Sequence, residues 1–229
     1  MSEKIIRKIQ SFVRRSGRLT LGQKYGLNDL WSQYGINPIA DKIIDFDTVF
    51  KKQQDVILEV GFGNGDSLLQ MAINEPEHNF LGIEVYEAGV GRLINEAHKN
   101  NLSNLKIIKE DAVEVLKSNI ATDSLHGFQL YFADPWHKKK HHKRRIVQAE
   151  FMDMMSHKLV NGGFVHMATD WEHYAQQMME TLELHAHFKN TLNAHTYSPR
   201  PERRPITKFE RRGERLGHGV WDLIFTNEK

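Results

Sequence analysis

Apolar residues fall in short runs from residue 55 onward. Val56-Ile57-Leu58-Glu59-Val60 has strand length, Gly61-Phe62-Gly63-Asn64-Gly65 follows, and Leu68, Leu69 and Ala72 recur at helical spacing. Strand, glycine loop and helix are therefore predicted in succession. Further strands are predicted over 79–84, 105–110, 127–132, 164–168 and 219–226. Helices are predicted over about 88–100 and 143–160, the second ending at Asn161-Gly162-Gly163, and another begins at Asp170 with Tyr174, Met178 and Leu182 on one face. Strands alternating with helices predict an α/β, doubly wound, mostly parallel sheet whose ligands bind beyond the carboxyl ends of the strands. Residues 1–50 lack sustained periodicity and contain the turn formers Ser16-Gly17, Gly35 and Asn37-Pro38. They are expected to be an irregular, basic, partly mobile extension ahead of one folded domain over 51–229.

Composition narrows the chemistry. With 229 residues and 40% hydrophobic content the chain can bury one sizeable core. The absence of cysteine excludes disulfides, thiolate zinc sites and cysteine nucleophiles. No apolar run fits a signal-peptide core or a membrane span, so the expected location is cytoplasmic. The net charge of +2 conceals a segregation. Segments 1–18, 138–145 and 199–215 hold 19 of the 31 Lys/Arg and 4 of the 29 Asp/Glu, so the rest of the chain is acidic. Basic stretches on an acidic body suit a polyanion bound with counterion release, which points to nucleic acid.

The glycine loop suits a nucleotide-like cofactor, because backbone without Cβ can approach a ligand closely. Gly61, Gly63 and Gly65 alternate, unlike the spacing that seats a pyrophosphate on a helix N-terminus. Glu59 precedes them, and a carboxylate there would repel a pyrophosphate but favour a cation. S-adenosylmethionine carries both an ammonium and a sulfonium. Glu84 ends the second strand, where a carboxylate can accept ribose hydroxyls, and Asp111-Ala112 ends the third, where an acid can meet an adenine amino group. Glu84 and Asp111 can also be read as caps of the helices that follow. The histidines, His141, His142 and His166 included, show no helical ligand spacing with a carboxylate in register, and no metal is expected.

After the fourth strand comes Asp134-Pro135-Trp136, with the run from Lys138 to Arg145 two residues later. Here the chain resembles the bacterial tRNA (guanine-N7)-methyltransferases that act on guanine 46. The likeness rests on Glu59 to Gly65, Glu84, Asp111, Asp134-Pro135-Trp136 with its basic run, Thr169-Asp170-Trp171, Thr207-Lys208-Phe209-Glu210 and Gly217-His218-Gly219, all in order. Ala133 stands where that family usually has proline, and residues 1–50 carry none of these motifs. The resemblance implies a Rossmann-like class I methyltransferase domain with a seven-stranded sheet, S-adenosylmethionine as cofactor and tRNA as partner, in a monomer or homodimer. It implies cofactor contacts at Glu59, Gly61, Gly63, Gly65, Glu84, Asp111, Ala112 and Asp134, with Asp134 also catalytic. Substrate contacts are implied at Lys138, Asp170, Thr207, Lys208, Phe209 and Glu210, and RNA contacts at Lys140, His141, His142, Lys143, Arg144 and Arg145.

The implied chemistry agrees with the residue types. Guanine N7 has an in-plane lone pair and no proton, so attack on a sulfonium methyl needs positioning rather than a general base. Asp134 and Asp170 can accept from the guanine N1–H and amino group or stabilise the cation that forms. Trp136 or Phe209 can stack on a displaced base, although core packing is the alternative for Trp136. Rival readings are a methyltransferase for another structured RNA or a small molecule, a nicotinamide-dependent oxidoreductase, disfavoured by Glu59 and the glycine spacing, and an RNA-binding module without catalysis, disfavoured by the intact set of acids.

Overall fold

The computed structural model describes residues 10–13, 17–206, 210 and 219–229. The expected strand, glycine loop and helix are β2 (Val56–Val60) and α4 (Asp66–Asn74), and ahead of them lie α1 (Leu21–Asn28), α2 (Trp31–Tyr34), β1 (Gly35–Ile36) and α3 (Phe46–Phe50). Then follow β3 (Asn79–Ile83), α5 (Glu87–Lys99), β4 (Leu105–Ile108), α6 (Ala112–Ser118) and β5 (Leu125–Tyr131). A 3-10 helix (Lys139–Arg144) leads to α7 (Ala149–Lys158), β6 (Leu159–Thr169), α8 (Glu172–Glu183), β7 (Phe188–Asn190) and β8 (Trp221–Asn227).

The sheet has the order β1-β4-β3-β2-β5-β6-β8-β7, parallel through β6, with β8 antiparallel to both β6 and β7. It holds eight strands rather than the expected seven, the extra one being the two-residue β1. From β2 the chain winds outward to β3 and β4, then returns to the other side of β2 as β5. The crevice at that reversal opens at the carboxyl ends of β2 and β5. Alternation along β2 feeds two cores. Val56, Leu58 and Val60 join the cluster containing Val115, Met152 and Met178 from α6, α7 and α8. Ile57 joins Leu68 and Met71 of α4 and Leu93 and Ile94 of α5 on the other face.

Three sequence expectations need correction. Residues 20–50 are not irregular throughout: Thr20 caps α1 in a capping box with Gln23, and Asp45 caps α3 through the amides of Asp47 and Thr48. Close helix contact fixes α1, because a Cβ at Gly26 would lie 2.1 Å from the Gly91 carbonyl oxygen and one at Gly91 would lie 2.3 Å from that of Gln23. The helix expected over 143–160 begins only at Ala149. Gln148 Nε2 donates to the carbonyls of His142 and Arg145, and so closes the preceding turn instead of extending a helix. Nor do Asn161-Gly162-Gly163 stop that helix. It ends at Lys158, and the glycines form an irregularity inside β6, where the register passes from Leu125↔Leu159 to Gly127↔Phe164. Buried Asn227 stabilises that corner by donating to the carbonyls of Ser156, Leu159 and Val160.

The α1–α5 contact leaves no space for a side chain. Gly91→Val should cost about 1–3 kcal/mol by overpacking. Denaturant unfolding measures the loss, and hydrogen exchange should show the amides of Leu21–Asn28 released first.

Candidate active site

The crevice contains a cavity of ≈ 450 Å³ lined by residues that follow five different strands, β2 to β6. After β2, Gly61, Gly63 and Gly65 all have positive φ, at 73°, 57° and 76°. At Gly61 and Gly63 a Cβ would point into open space, so it is backbone conformation that requires glycine there. The loop is held by Glu84 at the end of β3. Its Oε2 accepts from the Gly63 amide at 2.8 Å, and its Oε1 accepts from the amides of Val85 (2.6 Å) and Tyr86 (2.9 Å). These bonds occupy most of one carboxylate's capacity. Glu84 thus first shapes the loop, and its remaining acceptor capacity faces the cavity.

Glu59 is the unusual charge. It lies in β2 with 2% exposure, and its Oε2 has no hydrogen-bond partner. Burial, reinforced by the neighbouring Glu84, pushes its pKa up to about 8. A buried acceptor without a donor costs stability on its own, and a cation brought into the cavity would relieve it.

Asp111, Ala112, Asp134 and Asp170 complete the wall. Asp111 is also the N-cap of α6, accepting from the Val113 amide at 3.0 Å, so the capping reading holds for a residue that also lines the cavity. Asp134 is exposed, on a segment flanked by two aromatic residues in left-handed conformation, Phe132 (φ 53°) and Trp136 (φ 47°). Each costs of order 1–3 kcal/mol and persists only where its surroundings impose it. Phe132 is held by its backbone N–H, which donates to the Ala168 carbonyl at 2.7 Å. Pro135 is held through its carbonyl, which accepts from Arg145 Nε at 2.8 Å.

Arg145 therefore differs from the expectation that it contacts RNA. It is 2% exposed, its NH1 reaches Gln177 Oε1 and His173 Nδ1, and its guanidinium lies 4.7 Å from the centre of the Tyr174 ring. The charge points inward, where it fixes the Asp134 segment and not a phosphate. Arg144 is half-buried. Its guanidinium lies 3.7 Å from the Trp136 ring centre and donates to the carbonyls of Gln10 and Phe12, while Trp136 Nε1 donates to the Ser11 carbonyl. One face of Trp136, a residue expected to stack on a base, is thus taken by Arg144, and Ser11, Phe12 and Val13 become part of the cavity wall. Lys138, Lys140 and Lys143 are exposed, and His141 and His142 half-buried, all outside the cavity lining.

Glu210 is 3% exposed with both carboxylate oxygens bonded to Arg204. Thr207, Lys208 and Phe209, with Gly217 and His218, lie outside the described residues, as do most of the cations of segment 1–18. Among the described residues no cluster of three or more His, Asp or Glu side chains is placed to hold a metal ion, and no helix is long and apolar enough to cross a membrane. Sequence reasoning missed Ser11 to Val13 and Tyr131 as cavity residues. Nothing in residues 10–13 signals it, whereas Tyr131, as the last residue of β5, could have been found from the rule that ligands meet strand ends.

A family model described as "Putative methyltransferase" matches residues 53–223. A relative from Psychromonas ingrahamii named tRNA (guanine-N(7)-)-methyltransferase is 54% identical over 222 residues, which is 97% of this chain and 90% of that protein. The chain belongs to the tRNA (guanine-N(7)-)-methyltransferase family. Among solved structures, the 16S rRNA methyltransferase KamB superposes with a TM-score of 0.57 at 16% identity over 94% of this chain and 97% of that one. A SAM-dependent O-methyltransferase from Thermotoga maritima gives 0.50 at 16% identity over 82% and 67%. At these identities the likeness shows the fold, which is that of the Rossmann-like S-adenosylmethionine-dependent methyltransferases; reaction and substrate belong to the site.

The contrast between cations of one basic run can be measured. Arg145→Ala should lose about 2–3 kcal/mol by leaving the Pro135 carbonyl and the Gln177 amide oxygen unmatched in the interior. Lys143→Ala, at an exposed side chain, should change stability by less than about 0.5 kcal/mol. Equal losses in denaturant unfolding would remove the structural role from Arg145.

Proposed function

We propose that this protein transfers a methyl group from S-adenosylmethionine to N7 of a guanine in tRNA, at position 46 of the variable loop. The observation that carries the reading is the buried Glu59 carboxylate beside the glycine loop, with one oxygen lacking a hydrogen-bond donor. It suits an ammonium or sulfonium and would oppose a pyrophosphate. Membership in a family whose relatives are named for guanine-N7 methylation of tRNA supports the substrate.

S-adenosylmethionine, when bound, supplies a methyl group on a positively charged sulfur. Glu59 would hold its cationic end and Glu84 a ribose hydroxyl, with Asp111 and the Ala112 backbone at the base. Asp134 is the proposed catalytic residue, and Asp170 its neighbour in the same cavity wall. Both are acceptors that can meet the donors on the guanine Watson–Crick edge, which adenine does not offer in that pattern. As N7 takes the methyl, the ring becomes cationic, and carboxylates already in place stabilise that charge without reorganisation. The chain needs no base for this step, since N7 carries no proton; it must orient the guanine and exclude water. Thr207 to Glu210 and Lys138 are the remaining proposed substrate contacts. Lys140, His141, His142, Lys143 and Arg144 are the proposed RNA-facing run, with Arg145 serving it from inside. The cytoplasm is the proposed location.

Transfer of label from S-adenosylmethionine to unmodified tRNA, with the nucleoside located by N7-methylguanine-specific strand scission, tests this directly. Label at guanine 46 should fall by at least about a hundredfold in Asp134→Ala, the scale on which removed transition-state stabilisers act. Label on another structured RNA alone would replace the tRNA assignment.

Glu59 gives a second test. Because its carboxyl titrates near 8 when the cavity is empty, binding a cation below that pH must expel a proton. Cofactor affinity should therefore rise with pH from 6 towards about 8 and then level off. The unliganded protein should behave oppositely. A raised carboxyl pKa favours the folded state at low pH, and this contribution is lost as pH rises from the unfolded value of 4.5 to about 8. Calorimetry in buffers of different ionisation enthalpy should detect proton release, and Glu59→Gln should abolish it.

A further inference from the structure

One strand over from Glu59 lies a buried polar side chain that neither the glycine loop nor the cavity wall uses. Gln129 of β5 is the register partner of Glu59 of β2. Leu58 and Phe128 point together into the core shared with α6, α7 and α8. Glu59 and Gln129, one residue on in each strand, therefore share the opposite face with Ile57, Met71 and Tyr131. Gln129 is 0% exposed and lies outside the cavity lining, whereas Glu59 belongs to it.

Each of the two side chains has one buried oxygen without a hydrogen-bond partner, Oε2 of Glu59 and Oε1 of Gln129. The Gln129 amide nitrogen is spent on a thioether, Met71 Sδ at 3.5 Å, which is a weak acceptor. The neighbour on the far side is already satisfied. His166, the register partner of Gln129 in β6, meets the Tyr131 hydroxyl through Nδ1 at 2.9 Å and Asp222 through Nε2 at 2.8 Å. Around Glu59, Glu84 from β3 and Asp66 from α4, itself paired with Arg92, stand in the same wall, with Asp111, Asp134 and Asp170 on the elements beyond. Past Tyr131 come Asp222, Arg203 and Arg204. Among the described residues none of these donates to Glu59 Oε2. Two acceptor oxygens on adjacent strands are compatible when a proton lies between them, and burial that pushes the Glu59 pKa up to about 8 supplies that proton at neutral pH.

We propose that Gln129 is the positioning residue of Glu59. In the empty cavity its Oε1 accepts the carboxyl proton of neutral Glu59, and when a cation binds its amide makes a half turn and donates an N–H to the carboxylate. In that step the Glu59 proton leaves to solvent and the amide gives up Met71 Sδ. An amide has a donor end and an acceptor end, so it can serve both protonation states where an apolar side chain serves neither. The proposal rests on the reading of Glu59 as the seat of the S-adenosylmethionine cation. Gln129 touches no ligand and acts only through Glu59. A charge-assisted hydrogen bond is about twice as strong as a neutral one, so the amide favours the carboxylate over the acid by about tenfold, the equivalent of one pKa unit.

The Glu59 titration can be followed directly by NMR in the unliganded full chain with glutamate isotopically labelled at the carboxyl carbon, its signal being the one missing in Glu59→Gln. The variants are Gln129→Met, which nearly keeps the volume and removes the amide, and Ser67→Ala, which removes the unpartnered buried hydroxyl of the cavity wall. Gln129→Met should move the titration upward by about one unit and weaken S-adenosylmethionine binding about tenfold at pH 7 in calorimetry. Its affinity should converge on that of wild type above both titrations, because the free and the bound carboxylate lose the same bond. Ser67→Ala should leave the titration in place. An unmoved titration in Gln129→Met, a loss of affinity equal at every pH, or a shift of the same size in Ser67→Ala would overturn the proposal. A wild type that binds no S-adenosylmethionine overturns the functional reading instead, while the titration still decides whether the two side chains are paired. If Gln129→Met does not fold, the infrared spectrum of wild type decides. The C=O stretch of protonated Glu59, identified by its loss in Glu59→Gln, should lie at the hydrogen-bonded position, and a stretch at the free-acid position would overturn the pairing.

Discussion

The reversal of winding direction at β2 governs the rest of the molecule. Right-handed crossovers carry the chain from β2 outward through β3 to β4, and the next one must bring β5 to the opposite side of β2. The two connections leave in opposite directions, so no helix covers the carboxyl ends of β2 and β5. The glycine loop, Glu84, Asp111 and the Asp134 segment each follow a strand and so converge on that one opening, although they are spread over 75 or so residues of sequence. The distance between them in the chain carries no cost once the sheet is formed.

Around that opening the protein tolerates features that a core chosen for stability would avoid. Glu59 is buried without a donor for one of its oxygens, Phe132 and Trp136 hold left-handed backbone, and Arg145 and Arg204 are guanidinium groups with almost no exposure. Each is unfavourable in isolation. They are sustained by the extensive apolar packing on both sides of the sheet. The three arginine side chains have distinct tasks. Arg145 pins Pro135, Arg144 covers Trp136 and retains residues 10–13, and Arg204 joins β8 to Glu210. Two regions that composition alone would assign to polyanion binding thus contribute some of their charge to building the site and leave the exposed lysines to face solvent.

Much of this was legible in the residues. Short continuous apolar runs with glycine punctuation specified the parallel sheet and placed β2, β3, β4 and β5 within a residue or two, because buried parallel strands must be continuously apolar and their crossovers amphipathic. The type and spacing of Glu59, Gly61, Gly63 and Gly65 carried the expectation of a cationic nucleotide-like ligand, since charge sign and the absence of Cβ are local properties. Less legible were the short elements before residue 50, whose formation depends on docking: α1 is held by Gly26 against Gly91, a contact 65 residues apart that no local pattern announces. The glycines at 162 and 163 misled for a related reason. A glycine pair is compatible with a helix stop or with a strand irregularity, and only pairing with β5 selects the second.

The sequence by itself thus determined the class of fold, the loop and acids that line the cavity, and the family, because these depend on residue type and short-range order. Tertiary structure alone decided the fate of each charge. Arg145 and Lys143 are two residues apart in one basic run, yet one is enclosed against Tyr174 and the other is in water. Glu210 reads as a substrate contact until Arg204 meets both its oxygens, and Trp136 reads as a stacking residue until Arg144 covers one of its faces. Whether an ionisable side chain binds, positions or solvates depends on its burial and its partners. Both are set by contacts between segments far apart in the chain, which local sequence does not encode.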